Sequence, residues 1–164
     1  MTLALRLSVL ALIISTSLFS QWTTKEEFTV DGFYRRAGGV EKSSKDELVV
    51  KQYHGDEPYI YLLINYIPSD WTQLIVRFDG VEGQYKMKRG LGNYDPERNK
   101  YTIYLHYLQE TIKIEYLFYE EILQLLKANR YIAVRIERKY GDPKNLVFDL
   151  AGSSKAIDFV LDLD

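Results

Sequence analysis

The sequence predicts a mainly β protein, an antiparallel β-sandwich or half-barrel carrying one or two short helices. Three observations predict it. Apolar residues recur at every second position through much of residues 28–150, the period of a strand with one buried face. Glycine and proline fall between these runs, where the chain must turn. Helical spacing is confined to two short segments, residues 119–128 and 154–161.

Ahead of the β pattern, residues 1–20 hold one charge, Arg6, then an apolar run from Leu7 to Ile14 broken only by Ser8, then the small residues Ser15, Thr16 and Ser17. This is the plan of a secretory signal peptide. The basic start stays on the cytoplasmic side, the apolar stretch enters the translocation machinery, and small side chains fit the peptidase. Cleavage falls after Ser20 or after Ser17; the alternative is an anchor kept at the amino end. The stretch is shorter than the roughly 20 apolar residues of a membrane span. No cysteine follows it, which excludes a lipid anchor. Removing 20 of the 164 residues leaves one β-rich domain of 144, residues 21–164, expected to have a single core, to lie in the periplasm or outside the cell, and to keep no membrane span once cleaved.

Composition narrows the function classes. The chain has no cysteine, so cysteine nucleophiles, thiolate metal sites and thiol redox chemistry are ruled out, and the exported domain is held by its core alone. His54 and His106 are its two histidines, too few for a three-histidine site within one chain. The leader removes one of 21 basic residues and none of the 23 acidic ones, leaving a net charge of −3. That is not the basic stripe of a nucleic-acid binder. Fourteen Tyr, 7 Phe and 2 Trp supply large apolar surfaces for a core or for recognition.

In chain order, residues 28–35 and 47–53 read as weaker strands. Residues 59–66 set Ile60, Leu62, Ile64 and Tyr66 against Tyr59, Tyr61, Leu63 and Asn65, so both faces are covered and the strand is central. Residues 72–79 place Leu74, Val76 and Phe78 inward, with Ile75 the exception on a wet face. Residues 84–88 form another weak strand, and Gly80, Gly83, Gly90 and Gly92 mark turns. Residues 100–107 alternate Tyr101, Ile103, Leu105 and Tyr107 against Thr102, Tyr104 and His106. A connection at 108–110 leads to a run with Ile112, Ile114, Tyr116 and Phe118 inward. The helix at 119–128 stripes Ile122, Leu123, Leu125 and Leu126, with Glu120 and Glu121 at its start and Lys127 at its end, as the helix dipole favours. Ile132, Val134 and Ile136 then face Leu146, Phe148 and Leu150 across a hairpin turned by Gly141 and Pro143. Ser153 is placed to cap the closing helix.

No motif supports catalysis or a cofactor. Ser153 and Lys155 resemble a phosphate loop only superficially, since Ala156 follows the lysine where Ser or Thr is needed. Asn93, Asp95, Glu97 and Asn99 alternate oxygen ligands, but Arg98 and Tyr104 stand where a calcium loop needs Gly and Glu; a solvated hairpin turn at Asp95-Pro96 is expected. Glu120 and Glu121 point about 100° apart and cannot flank one bond. His54 has no nucleophile beside it, and Lys86, Lys88 and Arg89 read as edge lysines that block sheet pairing. No metal, no cofactor and no enzymatic activity are expected.

Residues 126–136, which run from Leu126 into Val134-Arg135-Ile136, and residues 146–157, with Phe148-Asp149-Leu150-Ala151-Gly152 leading into a helix, resemble the closing segment of small exported bacterial proteins of the VasI-like (type VI secretion accessory) and invasion-associated locus B-like kind. The resemblance implies an extracytoplasmic, non-enzymatic β domain acting in secretion or at the cell surface. The expected function is therefore an exported binding or accessory protein at or outside the envelope with a protein partner. The alternative is an inhibitor or immunity protein that presents residues 52–58 or 91–99 to an enzyme's cleft. Tyr59, Tyr61, Tyr104 and His106 lie on faces opposite the better apolar sets, and form one aromatic contact patch if their strands are neighbours and the helix at 119–128 does not cover them. Export is directly testable: protein recovered from periplasm or medium should begin at Leu18 or Gln21, and an intact Met1 on protein confined to the cytosol would overturn it.

Overall fold

A strand with one apolar face needs a second such face to meet, and the alternating segments satisfy one another by forming two sheets packed face to face. The computed structural model describes residues 22–66, 68, 73–88, 93–96, 98–111 and 115–162. The first sheet runs β1 (Trp22–Thr29), β2 (Gly32–Val40), β3 (Glu47–Tyr53), β4 (Tyr59–Ile64), β8 (Lys100–Tyr104), β7 (Asn93–Asp95). The second runs β10 (Tyr116–Phe118), β9 (Tyr107–Glu110), β6 (Tyr85–Lys88), β5 (Gln73–Phe78), β11 (Tyr131–Ile136), β12 (Lys144–Asp149). All pairings are antiparallel and neither sheet closes on itself, which makes the fold a sandwich rather than a barrel. Helices α1 (Tyr119–Ala128) and α2 (Ser153–Leu161) complete it.

One buried cluster joins all these parts. Ile60, Leu62 and Ile64 of β4, Leu74, Val76 and Phe78 of β5, and Ile132, Val134 and Ile136 of β11 share it with Ile122, Leu123 and Leu126 of α1 and Ala156, Ile157 and Val160 of α2. Helix α2 packs on β1, β2 and β3, and α1 packs on α2, β9 and β10. Trp22 fastens the sheets at one edge, its indole N–H donating to the carbonyl of Asp149 at 3.1 Å. The indole lies so close to Gly39 that a Cβ there would meet its Nε1 at 2.8 Å, so only glycine fits opposite the ring.

The structure corrects several sequence expectations. The weak strand at 28–35 is two strands, with the β1–β2 turn at Val30-Asp31 in its middle. The strand expected over 100–107 divides: β8 stays in the first sheet, Leu105 donates its N–H to Ile60 at 2.8 Å, and the chain crosses the core to enter the second sheet as β9. The crossing shifts the alternation by one, so Leu108 is buried while Tyr107 is exposed. The connection expected at 108–110 is thus itself part of a strand. Tyr116 and Phe118, expected inward, face solvent, and Ile112 and Ile114 lie outside the described residues. Lys86 is not on an edge, because β6 pairs with β5 and β9; Arg89 and the side chain of Lys88 fall outside the description.

Ser153 does not cap α2 with its side chain. It is the first helical residue and is buried, and its hydroxyl donates to the carbonyl of Leu126 at 2.7 Å, tying α2 to α1. The cap position belongs to Gly152, whose φ of 85° lies in the left-handed region that glycine tolerates. At α1 the carboxylate of Glu121 accepts from the N–H of Phe118 at 2.9 Å, which satisfies a donor at the helix start. Residues 1–20, expected as a leader, lie outside the described residues. No helix among the described residues is long and apolar enough to cross a membrane.

The closing hairpin pairs Ile132 with Phe148 and Val134 with Leu146, and Phe148 is 1% exposed. Phe148→Ala should therefore lower stability by about 3–5 kcal/mol in urea unfolding, and a loss below about 1 kcal/mol would be incompatible with this register.

Candidate functional site

Because β4 has neighbours on both sides, its inner face enters the common core while its outer face, with Tyr59, Tyr61 and Leu63, makes a second surface. Register lines up three rows across the outer face of the first sheet: Arg36, Lys51, Tyr59; Gly38, Val49, Tyr61, Tyr104; Glu47, Leu63, Thr102, Asn93. Val49, Tyr61 and Leu63 form a small buried cluster of their own, separate from the main core. Long polar side chains shelter it. Arg36 meets Glu47 at 2.9 Å, and Glu47 meets Lys100 at 2.5 Å, so this ion chain reaches from β2 to β8 across the intervening β4. Burial works to raise the Glu47 carboxyl, but the Lys100 hydrogen bond and Arg36 outweigh it and hold the group below the ordinary carboxylate range.

The four residues singled out by alternation come together here. The Tyr104 ring lies 5.7 Å from Tyr61 and 6.2 Å from Tyr59, and it stacks on His106 at 5.4 Å, distances within the usual range for aromatic pairs. They are not equivalent. Tyr61 is 8% exposed and its phenol is pushed up by burial, whereas Tyr59 and Tyr104 are 40% and 37% exposed. Tyr61 is the floor, and Tyr59, Tyr104 and His106 are exposed above it. Helix α1 does not cover this face, since its buried side chains belong to the core between the sheets.

A second aromatic group, which periodicity alone did not single out, continues the surface on β2 and β3. Tyr34 and Tyr53 are register partners with ring centroids 5.4 Å apart. The Lys51 ammonium sits 3.8 Å from the Tyr34 ring centre and 4.3 Å from that of Tyr53, and donates to the Tyr53 hydroxyl at 2.7 Å. The Tyr34 hydroxyl donates to Glu27 at 2.5 Å, and burial together with that carboxylate pushes its pKa up to about 12. Both tyrosines lie in segments the sequence marked as strands, but the pairing that joins them is set by turn positions.

Tyr53, Tyr59, Tyr61 and Tyr104 line an open groove of about 570 Å³, within the size range of ligand sites; Tyr34 and His106 lie outside its lining. Its rim holds Asp31 from the β1–β2 turn, Asp56 from the β3–β4 loop, and Asp95 and Arg98 from the β7–β8 turn. The rim is pinned: Gln52 donates to the carbonyl of Asp56 at 2.9 Å, the Asp56 N–H bonds Tyr53 at 3.1 Å, and the His54 N–H bonds Phe33 at 3.0 Å. Asp95 accepts from the N–H of Arg98 at 3.2 Å, so the hairpin turn expected at Asp95-Pro96 is present, although Asn93–Asp95 ahead of it is a strand rather than a loop and Glu97 lies outside the described residues. Among the described residues no group of three or more His, Cys, Asp or Glu is placed to hold a metal ion. The groove offers aromatic faces, carboxylate acceptors, the Lys51 ammonium and the Arg98 guanidinium.

No family model matches the chain, and no curated protein matches it. Among solved structures the chain is similar to the crystal structure of invasion associated protein B from Bartonella henselae, with a TM-score of 0.61 and 13% identity over 87% of this chain and 93% of that one. At that identity the likeness establishes the fold. It supports the invasion-associated locus B-like half of the resemblance in the closing segment at the level of fold, and nothing found supports the VasI-like half.

The burial difference along β4 has a measurable consequence. Tyr61→Ala should cost about 3 kcal/mol in urea unfolding, whereas Tyr59→Ser should stay within about 0.5 kcal/mol of the parent; equal losses at the two positions would contradict the floor-and-wall arrangement.

Proposed function

We propose that this protein is an exported bacterial accessory protein that acts without catalysis, at or outside the cell envelope, by holding a protein partner against the tyrosine-lined groove of its first sheet. The observation that carries the reading is the groove itself, an uncovered sheet face on which Tyr59 and Tyr104 stand over the buried Tyr61. Tyrosine is favoured at such contacts because it presents a large area with few rotatable bonds and a hydroxyl that stays hydrogen-bonded. The signal-like leader and the fold shared with a protein named for invasion support the location.

An inhibitor or immunity role is favoured by a separate observation. Both loops that the sequence offers for insertion into an enzyme's cleft contribute rim residues to the one groove, Asp56 from the first and Asp95 and Arg98 from the second. Their internal hydrogen bonds give the rigidity a cleft-blocking loop needs.

Capture from envelope extract tests the site. Wild-type protein should retain a specific partner that Tyr59→Ser/Tyr104→Ser loses, with the two proteins unfolding at similar urea concentrations. Recovery of the same proteins by both would end the assignment of the groove as the contact surface. The partner's identity separates the two roles, a hydrolytic enzyme inhibited in the complex favouring the second.

A further inference from the structure

The outer face of the second sheet has a different chemistry. Register sets Ile75 opposite Lys86 on one side and Arg135 on the other, with Arg77 one step along on β5 opposite Ala133. A shallow groove of about 450 Å³ runs over Ile75, Arg77, Ala133, Arg135 and Val147, and no carboxylate lines it among the described residues. The acidic side chains nearby are engaged. Asp79 accepts from the N–H groups of Arg130 and Tyr131 at 3.0 Å each, Asp149 accepts from Ala151 at 2.9 Å, and Glu137 makes a solvent-exposed ion pair with Arg135 at 3.8 Å, a contact of the kind that contributes little and yields readily to other anions. Like charges on neighbouring strands repel, so these three cations favour an external array of anions.

The same face carries apolar groups at both edges. Lys86 is opposite Gln109, Gln109 opposite Tyr116, and Tyr107 opposite Phe118. Phe118 is 55% exposed at one edge of the sheet and Val147 is 52% exposed at the other. Alternation places all of these side chains on one side of the sheet. Tyrosine and phenylalanine beside arginine and lysine, spread over a broad open face, suit a headgroup layer, where amphipathic rings settle at the boundary and cations meet phosphates. A narrow slot for a peptide would concentrate the same groups.

We infer that this face docks peripherally on a bilayer surface bearing anionic phospholipids. Arg77, Lys86 and Arg135 lie on headgroup phosphates, and Tyr116 and Phe118 rest at headgroup level. The groove of the first sheet is on the other side of the sandwich, so docking leaves it open to solvent.

Sedimentation of the protein recovered after export with vesicles of equal parts phosphatidylglycerol and phosphatidylcholine tests the inference. Binding should weaken as salt is raised and be absent with phosphatidylcholine alone. Arg77→Gln/Arg135→Gln should lower the partition coefficient ~30-fold, from two lost cations, and Phe118→Ser should lower it severalfold. Arg77→Lys/Arg135→Lys should retain binding, and all the variants should unfold at the wild-type urea midpoint because the replaced side chains are exposed. The inference is overturned by absence of binding to phosphatidylglycerol vesicles at low salt, by equal binding to phosphatidylcholine alone, or by undiminished binding of the Arg-to-Gln variant. Saturable binding of polyglutamate with none to vesicles would assign the face to an acidic protein and overturn it as well.

Discussion

Burial of the two inner sheet faces against each other is the interaction on which the rest of this structure depends. With no cysteine in the chain, there is no disulfide to supplement a small core, and one contiguous apolar cluster has to hold twelve strands and two helices of the described residues together. The cluster is continuous because the central strands β4, β5 and β11 each contribute a full inner face to it, while the edge strand β1 adds only Trp22. Its ends are closed by specific polar ties rather than by more apolar surface: the Trp22 indole on the Asp149 carbonyl between the sheets, and the Ser153 hydroxyl on the Leu126 carbonyl between the helices. A buried hydrogen bond of that kind contributes modestly when formed and costs more when one partner is lost, so these ties set the relative placement of parts more than they add to the total.

Commitment of the inner faces to the core has a direct functional consequence. Both helices also turn their apolar stripes into the space between the sheets, which leaves the two outer faces uncovered among the described residues. The faces then differ by their side chains alone. The first presents tyrosines over a small buried cluster of Val49, Tyr61 and Leu63, with aspartates on its rim. The second presents Arg77, Arg135 and Lys86 around Ile75. A sandwich of this construction has two independent surfaces on one rigid body, and neither needs a moving part to be accessible.

The sequence was most legible where burial and alternation coincide. Residues 59–66 were recognisable as a central strand because apolar groups occupy both faces, and the 132–136 and 146–150 hairpin because a Gly-Asp-Pro turn separates two regular runs. It was least legible where the chain changes sheets. Tyr101, Ile103, Leu105 and Tyr107 keep perfect alternation through a point at which Leu105 bonds back to Ile60 and the strand ends; nothing local distinguishes a strand that continues from one that crosses the core. Ser153 departs from its local pattern for a related reason. A serine ahead of an apolar helical stripe is the usual cap, but here Gly152 adopts the left-handed conformation and frees the hydroxyl for a carbonyl 27 residues away in sequence.

What the sequence by itself determined is which residues are apolar, how they alternate, and therefore that the chain is β-rich and that Tyr59, Tyr61, Tyr104 and His106 fall on faces opposite the better apolar sets. These follow from covalent geometry, since successive side chains of a strand point to opposite sides whatever the strand packs against. The tertiary structure decided which strands are neighbours and in what register. Only then do Tyr34 and Tyr53 close around Lys51, does Tyr61 become a floor rather than a contact, and do Arg77, Lys86 and Arg135 converge on one face. The physical reason is that strand pairing joins residues far apart in the chain through backbone hydrogen bonds common to every residue type, so the side chains record it only through the single core that all of the strands share.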